Sequence, residues 1–258
     1  LRGPLQALGT GTGMAQVPLA ATPLDWIALL LFVVSILAYA RYADRSGASM
    51  LNARMRMVRR RWMRRYLERD DRVLDSILTG HSINSISLFC SATLLIVVAL
   101  LGLLGNTDLA HRLAGQGTFL VPTTAAMFQA KLIGLICVFI YGFYRFTWAL
   151  LQYNYLLALA GSAPLPGDLT PENADKVADQ ISIVLNSAVT SFHSGFRTYY
   201  YALAWIGWFY HPLAFVAATL LVTFILVYRQ IFSPSAGAIA AYATTLDTID
   251  GAPEKDRN

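Results

Sequence analysis

The side chains best suited to chemistry in this chain are polar ones embedded in apolar surroundings. Tyr141, Arg145, Trp148, Gln152 and Tyr155 recur at spacings of four, three, four and three, which is one face of a helix. Arg197 and His211 follow beside the next aromatic-rich stretch. A guanidinium among aromatic rings, in a pocket open to one bilayer face, is suited to an anion or a lipid headgroup. Arg145, Trp148, Gln152, Arg197 and His211 are therefore the expected polar membrane pocket. A plainer role competes. Arg145 lies seven residues before Gln152, roughly 10 Å along a helix, so its side chain is long enough to snorkel to the interface. His211 precedes Pro212, and a lone histidine there commonly serves packing or a local hydrogen bond.

The second candidate is the segment RMRMVRRRWMRRYLERDDR, residues 54–72, with nine arginines. Leu51, Met55, Val58, Trp62 and Tyr66 recur within and just before it at spacings of four, three, four and four. That is the apolar stripe of an amphipathic helix lying in a bilayer interface. Arg59, Arg60, Arg61, Trp62, Arg64 and Arg65 are its expected contact with anionic lipid, each arginine contributing about 1 kcal/mol beside an anionic leaflet. Solvated charge that marks topology is the competing role.

Other chemistry finds little support. His81, His111, His193 and His211 show no HxxxH or HExxH spacing, and Cys90 and Cys137 form no CxxC. There is no GxSxG or P-loop, and Gly9, Gly11 and Gly13 do not make GxGxxG. Asp70, Asp71 and Asp75, with His81 beyond them, are a candidate acid/base or metal cluster, but a helix-end charge network is the plainer reading. No catalytic residue, metal or cofactor is expected.

Composition sets the solvent. The chain is 258 residues long, 56% hydrophobic and 14% charged, against about 25% charged for a soluble domain. Its mean hydropathy is +0.49. The net charge of +5 is matched by residues 44–83 alone, with ten Arg and five acidic residues. Basic charge beside membrane spans is a topology signal, so nucleic acid is not an expected partner.

The expected fold is an all-α membrane protein: four transmembrane helices in a bundle, a basic interfacial helix and one cytoplasmic amphipathic helix. The spans fall at about 24–43, 84–105, 130–152 and 205–228, the last kinked at Pro212. Thr22 and Pro23 open the first, Gly80 ends the basic helix, and Lys131 snorkels outward. Thr170 caps the cytoplasmic helix, whose Glu172, Asp175 and Asp179 face the arginines. The arginine count places 44–83 and 153–198 in the cytoplasm and both termini on the periplasmic side. Residues 1–23, with Met14 as a plausible true start, and 233–258 read as disordered outer tails.

The chain also resembles a known family. Arg41-Tyr42-Ala43, Arg61-Trp62-Met63, Phe146-Thr147-Trp148, Gln152-Tyr153-Asn154-Tyr155, Arg197 with Tyr199-Tyr200, and Trp208-Phe209 carry the likeness. Over about residues 24–232 it resembles the bacterial integral-membrane family catalogued as domain of unknown function 599. Leu151 stands where that family's pattern has an arginine. The resemblance implies a multi-pass inner-membrane protein and supplies no activity.

The expected function is that of a non-catalytic accessory, scaffold or lipid-interacting protein. Its expected partners are anionic lipid and a membrane-protein partner or a homo-oligomer. The alternative is a small oligomeric transporter or channel for an anion or lipid. A membrane enzyme acting on headgroups ranks third. No Asp or Glu falls within 26–43, 84–105, 130–152 or 199–229, which argues against an ion-coupled pump.

Overall fold

The computed structural model describes residues 21–45, 51–107 and 123–251. Seven long helices account for nearly all of them: α1 (Pro23–Arg45), α2 (Leu51–Glu68), α3 (Val73–Gly105), α4 (Ala125–Gly161), α5 (Pro171–Tyr210), α6 (Pro212–Phe232) and α7 (Pro234–Gly251). No strand occurs among the described residues. Four helical stretches are long and apolar enough to cross a membrane: Pro23–Tyr42, Val73–Gly105, Ala125–Gly161 and Pro212–Leu246.

The helix starts follow their sequences. Thr22 and Asp25 form a capping box: Thr22 N–H donates to Asp25 Oδ2 at 2.9 Å and Asp25 N–H to Thr22 Oγ1 at 3.3 Å. Thr170 caps α5 as expected, accepting from Asn173 N–H at 3.4 Å. Gly80 does not end a helix; it lies inside α3. The break between α2 and α3 falls at 69–72 instead, where the Asp71 carboxylate accepts from Val73 N–H at 2.8 Å. That local bond satisfies a helix-start donor which an interior glycine cannot serve.

The largest departure lies in the second half of the chain. The expected cytoplasmic helix and the start of the expected 205–228 span are one continuous helix, α5, of 40 residues. Pro212 does not kink a span. His211 takes an extended conformation (φ −164, ψ 145), α5 ends, and Pro212 opens α6, where its missing N–H costs nothing. The chain then reverses. Tyr201 meets Thr223 at 3.4 Å, and Arg229 donates to Tyr200 at 3.1 Å. Gly207 permits the tight turn, because an added Cβ there would sit 3.2 Å from the Ala214 carbonyl oxygen.

α5 runs antiparallel to α4 along its length. Lys131 lies beside Trp208, Gly142 beside Thr198, and Gln152 beside Ser191. The C-terminal half of α5 therefore traverses the same layer as α4. It packs there among α1, α3, α4 and α6, and the start of α1 and the Leu246 end of α7 lie at opposite ends of the bundle. α1 starts beside Trp208, whose indole donates to Asp25 at 2.7 Å, and its Tyr39 reaches Gln230 at 3.4 Å. Residues 234–251, expected as disordered tail, form α7. Ser233 caps it and Pro234 opens it, and Arg61 of α2 donates to the Leu246 carbonyl at 3.0 Å. The tails 1–20 and 252–258, Met14 included, lie outside the described residues.

Two buried clusters hold the bundle. One joins α1, α4, α5 and α6 through Phe32, Phe139, Trp205, Trp208 and Phe215. The other joins α2 to α3, α4 and α5 through Met63, Tyr66, Ile86, Phe146 and Leu185. Met63, Tyr66 and Leu67 are the buried side of α2; of the expected apolar stripe only Tyr66 is buried, and Leu51, Met55, Val58 and Trp62 are half-buried. Lys131 does not snorkel: it is 3% exposed and donates to the Trp208 carbonyl at 2.8 Å.

Candidate functional site

On α2, Asn52, Arg56 and Arg59 follow one another at spacings of four and three, so they share a helix face. On α5, Thr190, His193 and Arg197 do the same at spacings of three and four. The two faces meet around a small polar cavity of about 50 Å³. Arg59 is held there by the Asn186 side-chain oxygen at 2.7 Å. Burial lowers the Arg59 pKa from its ordinary value, and the neighbouring Arg56 adds repulsion. Arginine remains charged regardless. Among the described residues, Arg56, Arg59 and Arg197 ion-pair with no carboxylate, and none lines the cavity.

Arg197 also lines a second, very different space. Its guanidinium lies 5.4 Å from the Tyr39 ring centroid, a cation–π arrangement. Beyond it runs a groove of about 410 Å³ between α1 and α4, floored by α5 and lined by groups such as Phe32, Ile36, Val138, Tyr141 and Tyr201. α1 packs mainly on α6, which leaves this flank of the bundle open.

Several other arginines of α2 are engaged by acids. Arg60 pairs with Asp179, Arg64 with Asp175 and, at 3.2 Å, with Glu68, and Arg65 with Glu68 at 2.8 Å. These pairs raise the Arg60 and Arg64 pKa values, the hydrogen bond to the carboxylate being the main cause. Asp175 and Asp179 thus face the arginines as expected, whereas Glu172 pairs with Lys176 at 2.7 Å. Arg60, Arg61, Arg64 and Arg65 border a cavity of about 370 Å³ between α2, α5 and α7. Trp62 turns away from it and donates to Asp75, which also holds Arg69. The aspartates beside His81 thus include a helix-end charge network.

The expected membrane pocket divides into separate places. Arg145 and Gln152 converge on the Ser191 hydroxyl, at 3.5 and 3.3 Å, and the buried Arg145 Nε has no partner among the described residues. Trp148 turns outward, 40% exposed, and stacks on Tyr144. Arg197 belongs to the α1–α2–α5 site. His211 caps α6 by accepting from Leu213 N–H at 3.1 Å, fourteen residues from Arg197, roughly 21 Å along the helix. Asn52, Arg56 and His193 were not among the residues expected. The His193–Arg197 and Asn52–Arg56 spacings of four were the available signal.

These features define a multi-pass helical membrane protein with a dense arginine surface at one end of the bundle. The chain belongs to the family described as Protein of unknown function, DUF599, whose model matches residues 26–235. No curated protein and no solved structure matches it.

Proposed function

We propose that this chain is a non-catalytic, lipid-interacting scaffold or accessory protein of a bacterial inner membrane, with its arginine-bearing end in the cytoplasm. One observation carries the reading: the nine arginines of residues 54–72 sit at one end of the bundle. The described part of the opposite end offers the buried Lys131. Excess Lys and Arg in short loops mark the cytoplasmic side. In this orientation α1 starts on the outer side, the His211 turn is outside, and α7 is inside.

The same surface attracts an anionic leaflet. Arginines already paired with Asp175, Asp179 or Glu68 contribute less to that attraction than Arg56, Arg59 and Arg197. Thermal unfolding of the full chain in nanodiscs provides the test. Replacing part of a phosphatidylcholine bilayer with phosphatidylglycerol should raise the unfolding midpoint, and added salt should shrink that rise. An unchanged midpoint, or saturable anion flux in proteoliposomes, would overturn the scaffold reading, the flux in favour of a transporter.

A further inference from the structure

We infer that the polar cavity at Arg56, Arg59, His193 and Arg197 and the apolar groove beside Tyr39 form one binding site for a single anionic phospholipid. This rests on the lipid-interacting reading above and gives it a location and a stoichiometry. Arg197 is the joint, since it lines both spaces. On its α2 side lie guanidinium groups with no carboxylate among the described residues. On its other side lies a groove of about 410 Å³ whose lining, Arg197 apart, is mainly aromatic and aliphatic.

The chemistry of the two halves selects the occupant. A phosphodiester suits the arginine cavity, because guanidinium forks match phosphate oxygens. A soluble anion would leave the apolar groove unused. A partner helix, about 10–12 Å across with its side chains, does not match a space of that volume. An acyl chain does, since it is narrow and apolar and continues directly from a phosphate held at the interface. The depths agree as well. Tyr39 stands three residues inside Tyr42, where the first apolar helical window ends. Arg197 opposite Tyr39 therefore lies just within the apolar layer, and Arg56 and Arg59 lie on the helix that follows it in the chain. The ring of Tyr39, anchored by its hydroxyl on Gln230 at 3.4 Å, lies against the Arg197 guanidinium at the boundary between the halves.

Native mass spectrometry of the full chain in mild detergent, titrated with dioleoyl-phosphatidylglycerol or dioleoyl-phosphatidylcholine, tests the site. The expected result is one saturable phosphatidylglycerol adduct and weaker binding of phosphatidylcholine. Arg56→Gln with Arg59→Gln should weaken phosphatidylglycerol by about fivefold per arginine and leave phosphatidylcholine nearly unchanged. Arg197→Met should cost roughly tenfold, with Arg197→Lys retaining part of the affinity. Val33 lines the groove at 44% exposure, so Val33→Trp obstructs the groove from its open side and should weaken both lipids. If Arg197→Met fails to fold, the Arg56 and Arg59 pair and Val33→Trp carry the comparison.

Several lipids bound without saturation, and lost only with Arg60→Gln, Arg64→Gln and Arg65→Gln, would overturn the single site. That result would still uphold the leaflet attraction of the broader reading. No preference for phosphatidylglycerol in any variant would overturn both.

Discussion

Asp75 shows how one carboxylate can hold two helices at their junction. It is 4% exposed and accepts from the Trp62 indole of α2. It also takes two bonds from Arg69, at 2.7 and 2.8 Å. Arg69 is 42% exposed, so water replaces much of what it would lose, and the ion pair alone contributes little. The indole lacks that recourse if its acceptor is removed. Asp75→Ala should therefore cost about 1–3 kcal/mol, and Asp75→Asn, which keeps an acceptor, should cost less. Thermal unfolding of both variants in detergent provides the comparison; equal midpoints would mean the indole bond contributes nothing. At this scale the sequence was informative about local roles: Thr170 as a cap, Asp75 in a charge network. It was less informative about which side chains meet across helices. Arg145 and Gln152 share Ser191 because seven residues is about two helical turns, and that could be read. Arg197 meeting Arg56 and Arg59 depends on how α5 docks on α2, which spacing within either helix does not encode.

The α4–α5 crossing is close because of its glycines. Gly134 carries no Cβ where Trp205 fills the space, and Trp205 donates its indole N–H to the Lys131 carbonyl at 2.8 Å. Gly134→Ala drives a methyl group into that ring, displaces the indole and breaks a buried hydrogen bond. Overpacking of this kind costs about 1–3 kcal/mol. Gly80, inside α3, has nothing within 4 Å of an added Cβ, so Gly80→Ala should gain up to about 1 kcal/mol of helix propensity. Opposite shifts of the unfolding midpoint are expected, and a stabilised Gly134→Ala would refute the close packing. The Gly80 contrast also explains why that residue was misread: glycine weakens a helix without ending it when tertiary contacts hold both sides. The continuity of α5 was harder to see for a different reason. Ser191, Ser194 and Thr198 lower the hydropathy of its second half, yet all are buried against neighbouring helices. A hydropathy window treats every face as if lipid surrounded it, so a helix packed among other helices is not seen as continuous with the apolar stretch that follows. Pro212 was ambiguous by its nature, since proline at a kink and proline opening a new helix look alike in sequence.

At the scale of the whole molecule, the proposed orientation rests on counting the C-terminal half of α5 as a fifth traverse. The turn at His211 splits one expected span into two antiparallel helices, and the start of α1 and the Leu246 end of α7 lie at opposite ends of the bundle. The arginines of residues 54–72 lie at the α7 end, since Arg61 reaches the Leu246 carbonyl at 3.0 Å. In the orientation proposed above, α7 is inside and the His211 turn outside. Ala125, the first residue of α4, and Thr244, on α7, are both exposed and lie at opposite ends. In a background with Cys90→Ala and Cys137→Ala, Ala125→Cys should react with a membrane-impermeant maleimide on intact spheroplasts. Thr244→Cys should react only after permeabilisation. The reverse pattern would leave the five traverses standing and overturn the charge-based orientation. Labelling of both from the same side would refute the odd count itself. The lipid site would then lose its leaflet, because its two halves face one membrane surface only if α1, α2 and α5 meet at the same end of the bundle.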